Sequence, residues 1–359
     1  MKVHLILPST IVLLLMACSV EKRTEAFDLV FDKSKAIDIV PDSIIGRSSI
    51  IEIPFTDSSM IGQNPSLTIL GDNFYIYHKG QSLPVIHLNR QTGSLNLVGK
   101  IGIGPEEYPI LTDFSINTRD TTLNILSNNQ ICQYNIQGQF IRKAKLDIPA
   151  LSFNIDHTGK YWFYVGYNAL TGNSRVIQAD SCLQNISSFL PLETSLLPLF
   201  EDNWGKGEYI TFRESLEHLL YMVNKDSLTL AHHVKFPHYE LPKNLHTTPS
   251  LKVVELLSKS NYAMIRNYQE NNEYIFMLVF LNHESVEIPD VYYWIINKHS
   301  KEDKIIKIGT DISFESFLYY PQYLSSDNEL YFIGYPIEIE ENDLTKTNPV
   351  IVAVPMNSF

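Results

Sequence analysis

The sequence has little of what marks a helical, disulfide-stapled or nucleic-acid-binding protein. Only 3 of its 359 residues are cysteine, too few for a disulfide framework. Basic residues are scarce, with 28 Lys and Arg against 40 Asp and Glu. Nucleic acids and anionic membrane surfaces are bound through clustered Lys and Arg, so this balance argues against either as partner. No apolar run reaches the roughly 18–20 residues of a membrane-spanning helix. No long stretch places apolar residues at 3.6-residue spacing, which excludes a helical bundle. His-Glu-x-x-His, Gly-x-Ser-x-Gly and P-loop patterns are all missing. The sequence therefore names no catalytic residue, no metal site and no cofactor.

What is present begins at the N-terminus. Lys2 is the only charge ahead of an apolar stretch over residues 5–17. A charged start, a short apolar core and a small residue at the end define a secretory signal. The stretch closes on Leu15-Met16-Ala17-Cys18, which resembles the lipobox of bacterial lipoproteins. The resemblance implies cleavage before Cys18, a diacylglyceryl group on its thiol, and acylation of the new amino group. Several acyl chains on one residue anchor stably where one chain does not, so the membrane is a partner through the lipid. Ser19 rather than Asp after the lipid cysteine fits, by analogy with that family, an outer membrane lipoprotein facing the periplasm or the cell surface. Loss of residues 1–17 removes one lysine and leaves 27 basic against 40 acidic side chains, a net charge of −13. Residues 18–48 read as lipid anchor and linker, with 27–31 and 36–40 able to add strands. Cys132 alternates with Tyr134 and Ile136, as on the buried face of a strand, and Cys182 falls in a turn. Two free thiols are expected.

The rest of the chain is punctuated rather than continuous. Short alternating segments rich in Ile, Val, Tyr and Phe are broken by Gly, Asn, Asp and Ser, the pattern of antiparallel strands. They recur as a four-strand unit. The first covers 66–98, the second 114–146, the third 152–190, the fourth and weakest 197–236, the fifth 262–308. The sixth stops after three strands, at 322–324, 329–335 and 350–354, while a spare strand at 49–55 precedes the first. Radial packing would let that spare strand complete the last unit and close the ring without open edges. The expected fold is all-β: a six-bladed β-propeller of four-stranded antiparallel blades over residues 49–359. A helical insertion at 249–260, capped by Ser250, is expected between the fourth and fifth units.

Between the first and second units stands Gly102-Ile103-Gly104-Pro105-Glu106-Glu107-Tyr108. It resembles the Gly-Arg-Gly-Pro-Gly-Glu-Tyr loop of six-bladed β-propeller lipoproteins of Gram-negative bacteria, often described as TolB-like or NHL-like. Gly102, Gly104, Pro105, Glu107 and Tyr108 match. Ile103 replaces the basic residue, which speaks against an anion-binding role for the loop, and Glu106 replaces the third glycine, which suggests a backbone that no longer needs positive φ. The resemblance implies a fold and an envelope address, and no activity.

In such a ring the connections between blades share a face with the loops between each blade's second and third strands. Here that face carries the long segments 102–108, 166–175, 191–208, 237–261, 281–290 and 336–349. Long loops on a rigid scaffold are where binding concentrates. A protein, peptide or glycan ligand at this face is therefore the first functional expectation, with the chain a non-catalytic binding module. The alternative is a propeller hydrolase or lyase acting on glycans or lactones, which requires carboxylates or histidines to converge, for instance Glu107 with a histidine or Asp113. His232, His233, His238 and His246 crowd one region at spacings matching no standard metal site. Glu338, Glu340, Glu341 and Asp343 lack the pattern of a calcium loop. Trp204, Tyr209, Tyr292, Tyr293, Trp294, Tyr319 and Tyr320 could form an aromatic platform, although filling the wedge-shaped space between blades accounts for them better.

Overall fold

The computed structural model describes residues 27–359 apart from 39–43, 45, 56–59, 63, 168–172, 193–202, 215, 285, 287, 309–319 and 335–347. The signal segment, Cys18, the expected strand at 197–200, the acidic run at 338–343 and Tyr319 lie outside the described residues.

Six antiparallel sheets form the blades of a ring. Blade 1 runs Ser66–Leu70, Asn73–Tyr77, Val85–Asn89 and Leu95–Val98. Blade 2 runs Asp113–Asn117, Thr122–Ser127, Gln130–Asn135 and Phe140–Lys145, and blade 3 runs Ser152–Ile155, Tyr161–Tyr164, Ser174–Ala179 and Asn185–Pro191. Blade 4 has a short inner strand, Trp204–Gly205, then Thr211–Arg213, Leu219–Asn224 and Ser227–Lys235. Blade 5 is the longest, with Tyr262–Glu270, Tyr274–Asn282, Asp290–Asn297 and Asp303–Ile308. Blade 6 takes Pro321–Leu324, Glu329–Gly334 and Val350–Pro355 from the C-terminus. Its fourth strand is Ser49–Glu52, paired antiparallel with Ile351 opposite Ile51. The spare N-terminal strand thus closes the ring.

Alternation explains why the blades stack. Successive side chains of a strand point to opposite faces. In blade 5, Phe276 and Leu278 pack toward blade 6, while Ile275, Met277 and Val279 pack toward blade 4. Both faces are buried, so Tyr274–Asn282 is nearly unbroken apolar sequence. An apolar cluster fills each of the six seams. Burying one large apolar side chain contributes about 1.5–3 kcal/mol, so a seam of many such residues outweighs any single polar contact across it.

Polar contacts then fix how one inner strand meets the next. Lys79 pairs with Asp113 at 2.7 Å across blades 1 and 2. Asp113 accepts from the Phe153 backbone N–H at 2.9 Å across blades 2 and 3. Asn154 donates to the Gly205 carbonyl at 3.5 Å, and Thr211 to the Tyr268 carbonyl at 3.0 Å. Asn267 donates to the Pro321 carbonyl at 3.2 Å, and Gln322 accepts from the Leu67 N–H at 3.2 Å. Every seam carries at least one such bond.

The segment before the closing strand is integrated into the ring. Phe27–Val30 adds in parallel to the outer edge of blade 4, and Ile37–Asp38 in parallel to that of blade 5. Between them Phe31, 3% exposed, enters the seam and meets the rings of Phe236, Tyr292 and Trp294 at 5.5, 5.5 and 5.3 Å. Lys33 pairs with Asp290 at 3.0 Å and Lys35 with Asp303 at 2.7 Å. This strap covers two sheet edges that would otherwise expose unpaired backbone.

The insertion between blades 4 and 5 holds the helix Ser250–Ser258. Pro249 occupies the cap position and Ser250 is the first helical residue, so the expected Ser250 cap is shifted by one. Proline's fixed φ suits it to the helix entrance. Cys132 is buried, Cys182 is exposed, and both are free thiols.

Candidate functional site

The residues singled out between blades 1 and 2 form a self-contained clasp. Lys100–Ile101 pairs in parallel with Glu107–Tyr108, and the loop folds around the Glu107 side chain. A Cβ on Gly102 would lie 2.0 Å from Glu107 Oε2, and one on Gly104 would lie 3.0 Å from it. The glycines leave room for that carboxylate, which accepts from the Gly104 N–H at 2.9 Å. Lys143 donates to the carbonyls of Gly104 and Glu107, and Tyr134 donates to that of Glu106 at 3.0 Å. Tyr108 is fully buried at the seam. Pro105 sits in the turn at the tip, Ile103 is 93% exposed, and Glu106 has no positive φ. Glu107 meets neither a histidine nor Asp113, whose oxygens are engaged by Lys79 and the N–H groups of Phe114 and Phe153. Among the described residues no three His, Cys, Asp or Glu side chains gather as metal ligands would.

The long-loop face carries a groove of about 560 Å³ between blades 3 and 4. Leu190, Pro191, Glu217, His218, Tyr221 and His246 line it. At its floor Arg175 bonds both Glu214 and Glu217 through one guanidinium nitrogen. The Tyr164 hydroxyl donates to Glu214 at 2.8 Å, and the Arg175 guanidinium lies 5.6 Å from the Tyr167 ring centre. One cation between two carboxylates cannot neutralise both. Burial first, then the like charge of Glu217, push the Glu214 carboxyl up to about 7 against the opposing pull of Arg175. Glu214 lies behind Arg175 and is not on the groove wall. The cluster braces the loops of two blades and holds the groove's shape. Burial also pulls the His218 imidazole down, leaving it neutral to donate to the Ala263 carbonyl at 3.0 Å.

A second cavity of about 580 Å³ lies on the central channel at the opposite, short-turn face. Its geometry follows from two glycines. A Cβ on Gly205 would lie 2.0 Å from Thr211 Oγ1 and 2.4 Å from the Tyr268 carbonyl oxygen, and one on Gly207 would lie 2.7 Å from the Leu324 carbonyl oxygen. Without side chains, the chain crosses the ring after the short inner strand of blade 4, and Gly207 bridges to Leu324 of blade 6. Lys206 lies on this crossing, and its Nζ stands 4.6 Å from the Tyr77 ring centre in blade 1, the blade across the ring.

Of the crowded histidines, His232 is buried and engages Glu270 at 2.9 Å across blades 4 and 5. Lys298 reaches the other oxygen of Glu270 at 2.7 Å, and Tyr268 also donates to this carboxylate. Burial raises the Glu270 carboxyl, but His232 and then Lys298 outweigh it and hold it below the usual range. Sequence spacing gave no sign of this cluster, because its members come from two strands and a turn. Trp204, Tyr292, Tyr293 and Trp294 are buried in seams, so packing uses them. Tyr209 alone of the described set lines the channel cavity.

The sequence over residues 28–354 matches the model of the family described as Domain of unknown function (DUF4934). The chain belongs to this family. The fold is similar to that of a Bacteroides fragilis NCTC 9343 protein described as exported, with TM-score 0.72 and 15% identity over 91% of this chain and 99% of that one. It is also similar to a DUF4221 family member from Bacteroides vulgatus, with TM-score 0.54 and 10% identity over 86% of this chain and 98% of that one. At these identities the likeness is one of fold. No curated protein matches the sequence significantly. No helix among the described residues is long and apolar enough to cross a membrane.

Proposed function

We propose that this propeller is an outer membrane lipoprotein, anchored through Cys18, that works as a non-catalytic binding module for a protein, peptide or glycan at its long-loop face. The observation that carries the binding reading is the groove between blades 3 and 4. It sits where the long loops gather, its walls mix apolar, aromatic and imidazole surface, and the Arg175 cluster braces it from below. Its volume falls within the roughly 300–1,000 Å³ typical of ligand sites. The anchoring reading rests on Leu15-Met16-Ala17-Cys18 and on the likeness to an exported protein. A hydrolase or lyase has less support, because Glu107 and Asp113 are committed to separate structural bonds.

The test is quantitative capture of envelope proteins and immobilised glycans by residues 19–359, compared with a His246→Asp, Thr247→Asp variant. Both positions are exposed on the groove rim. The expected result is a ligand whose retention falls at least tenfold in the variant. Equal retention by both would refute the groove as the binding site. In cells, Cys18→Ser should abolish fatty-acid labelling and release the protein from the membrane fraction, and persistent labelling would refute the anchor.

A further inference from the structure

We infer that the channel cavity is a site for a small oxyanion, a carboxylate or a phosphate, with Lys206 as its counter-charge. This site lies on the face opposite the groove and stands independently of the reading above.

The first argument is the state of Lys206. Among the described residues its Nζ makes no hydrogen bond and no ion pair, and it faces the Tyr77 ring. Other lysines of the ring are paired: Lys79 with Asp113, Lys160 with Asp226, Lys298 with Glu270 and Lys307 with Asp290. In a protein with an excess of acidic side chains, this lysine on the wall of the channel cavity has no carboxylate partner among the described residues. Lys206 as a whole stays partly exposed, but burial around its ammonium pulls it down to about 7, and a desolvated ammonium with no partner is costly. An anion entering the cavity would return the missing partner.

The second argument is the surrounding wall. The Thr68 hydroxyl, on the cavity wall, is buried and has no hydrogen-bond partner among the described residues. Buried polar groups are ordinarily satisfied, so this hydroxyl leaves the same cavity wall with a second polar group, beside Lys206, that an oxyanion would satisfy. The acidic groups on the wall do not compete. Asp156 is taken up by Thr158, Lys160 and Trp162, and Glu208 bonds Asn272.

The third argument is placement. Gly205 and Gly207 flank Lys206, and both are required by backbone approaches that exclude a Cβ. The crossing therefore holds this one long side chain on the channel. Packing alone would be served as well by methionine, which matches the lysine stem in length and makes favourable contacts with aromatic rings.

The experiment titrates the mature protein with sodium phosphate, sodium acetate and sodium glucuronate, against sodium chloride at equal ionic strength, by calorimetry and thermal shift. Wild type is compared with Lys206→Met and Lys206→Arg. Saturable binding of at least one oxyanion is expected. It should be weakened roughly 10- to 100-fold in Lys206→Met, the loss of one charged hydrogen bond, and partly kept in Lys206→Arg. Response to phosphate alone identifies a phosphoryl ligand, and response to acetate or glucuronate identifies an organic acid. Without oxyanion, Lys206→Met should melt no lower than wild type. Absence of binding beyond chloride, or undiminished binding by the methionine variant, overturns the proposal. So does a methionine variant that melts well below wild type in chloride, because the lysine would then be serving the fold.

Discussion

Phe31→Ala tests whether the strap is a structural part of the ring. The phenyl ring is 3% exposed and surrounded by three aromatic rings at 5.3–5.5 Å. Truncating a buried phenylalanine costs about 3–5 kcal/mol. The other strap contacts are weaker. Lys33–Asp290 and Lys35–Asp303 are partly exposed, with lysine side chains 41% and 54% accessible, and such pairs contribute about 0–1 kcal/mol each. With an unfolding entropy of about 2.1 cal/mol/K per residue over a ring of about 310 residues, the Phe31 loss corresponds to about 5–8 °C in Tm. The measurement is thermal unfolding by circular dichroism, with limited proteolysis near residues 30–40 to show whether the strap has lifted. A Lys33→Ala, Lys35→Ala variant should lose about 3 °C or less. If Phe31→Ala melts within about 1 °C of wild type, or if the lysine variant loses more, the wedge argument is wrong.

Two further outcomes follow from the geometry. Deleting Ser49–Glu52 strips blade 6 of its outer strand and should abolish cooperative unfolding, so an unchanged Tm would show the closure to be misassigned. Glu214 carries its own pH signature. Its folded pKa, about 7, lies above the ordinary glutamate value, so the folded state holds this proton more tightly than the unfolded chain does. Its contribution is therefore lost as pH rises from about 4.5 to about 7, at no more than about 1.4 kcal/mol per unit. Denaturant titrations should find Glu214→Gln gaining on wild type across that window, and a constant difference would refute the assignment.

The ring was legible because each blade repeats the same two signals, apolar alternation within strands and Asn, Asp or Gly between them. The closing strand was legible by subtraction, since three strands at one end and one at the other complete a blade. The inner strand of blade 4 at Trp204–Gly205 was not legible because Trp204-Gly205-Lys206-Gly207 has no alternation to read. Its glycines serve a crossing that needs backbone contact rather than side-chain packing. The strap was only hinted at: parallel addition to outer edges leaves Val30 and Ile37 half exposed, so little pattern survives, and one residue, Phe31, makes the main contact. The 102–108 loop stood out by its glycine spacing, but why the glycines are needed became clear only with Glu107 folded back over them. The Arg175 cluster joins residues about 40 positions apart, beyond the reach of any local pattern.

The strap also bears on the order of folding. A chain is made from its N-terminus, so residues 27–52 appear early, yet their partners lie at 227–235, 303–308 and 350–355. The earliest segment must wait for nearly the whole sequence before it can pair. Contacts this distant along the chain slow folding, and unpaired strand edges invite aggregation meanwhile. Blades 1–5 each take their four antiparallel strands from neighbouring residues, but that one early segment covers the outer edges of blades 4 and 5 and completes blade 6. A chain truncated before residue 350 would leave Ser49–Glu52 without its partner and blade 6 incomplete, so an unfinished molecule exposes strand edges that the finished one pairs.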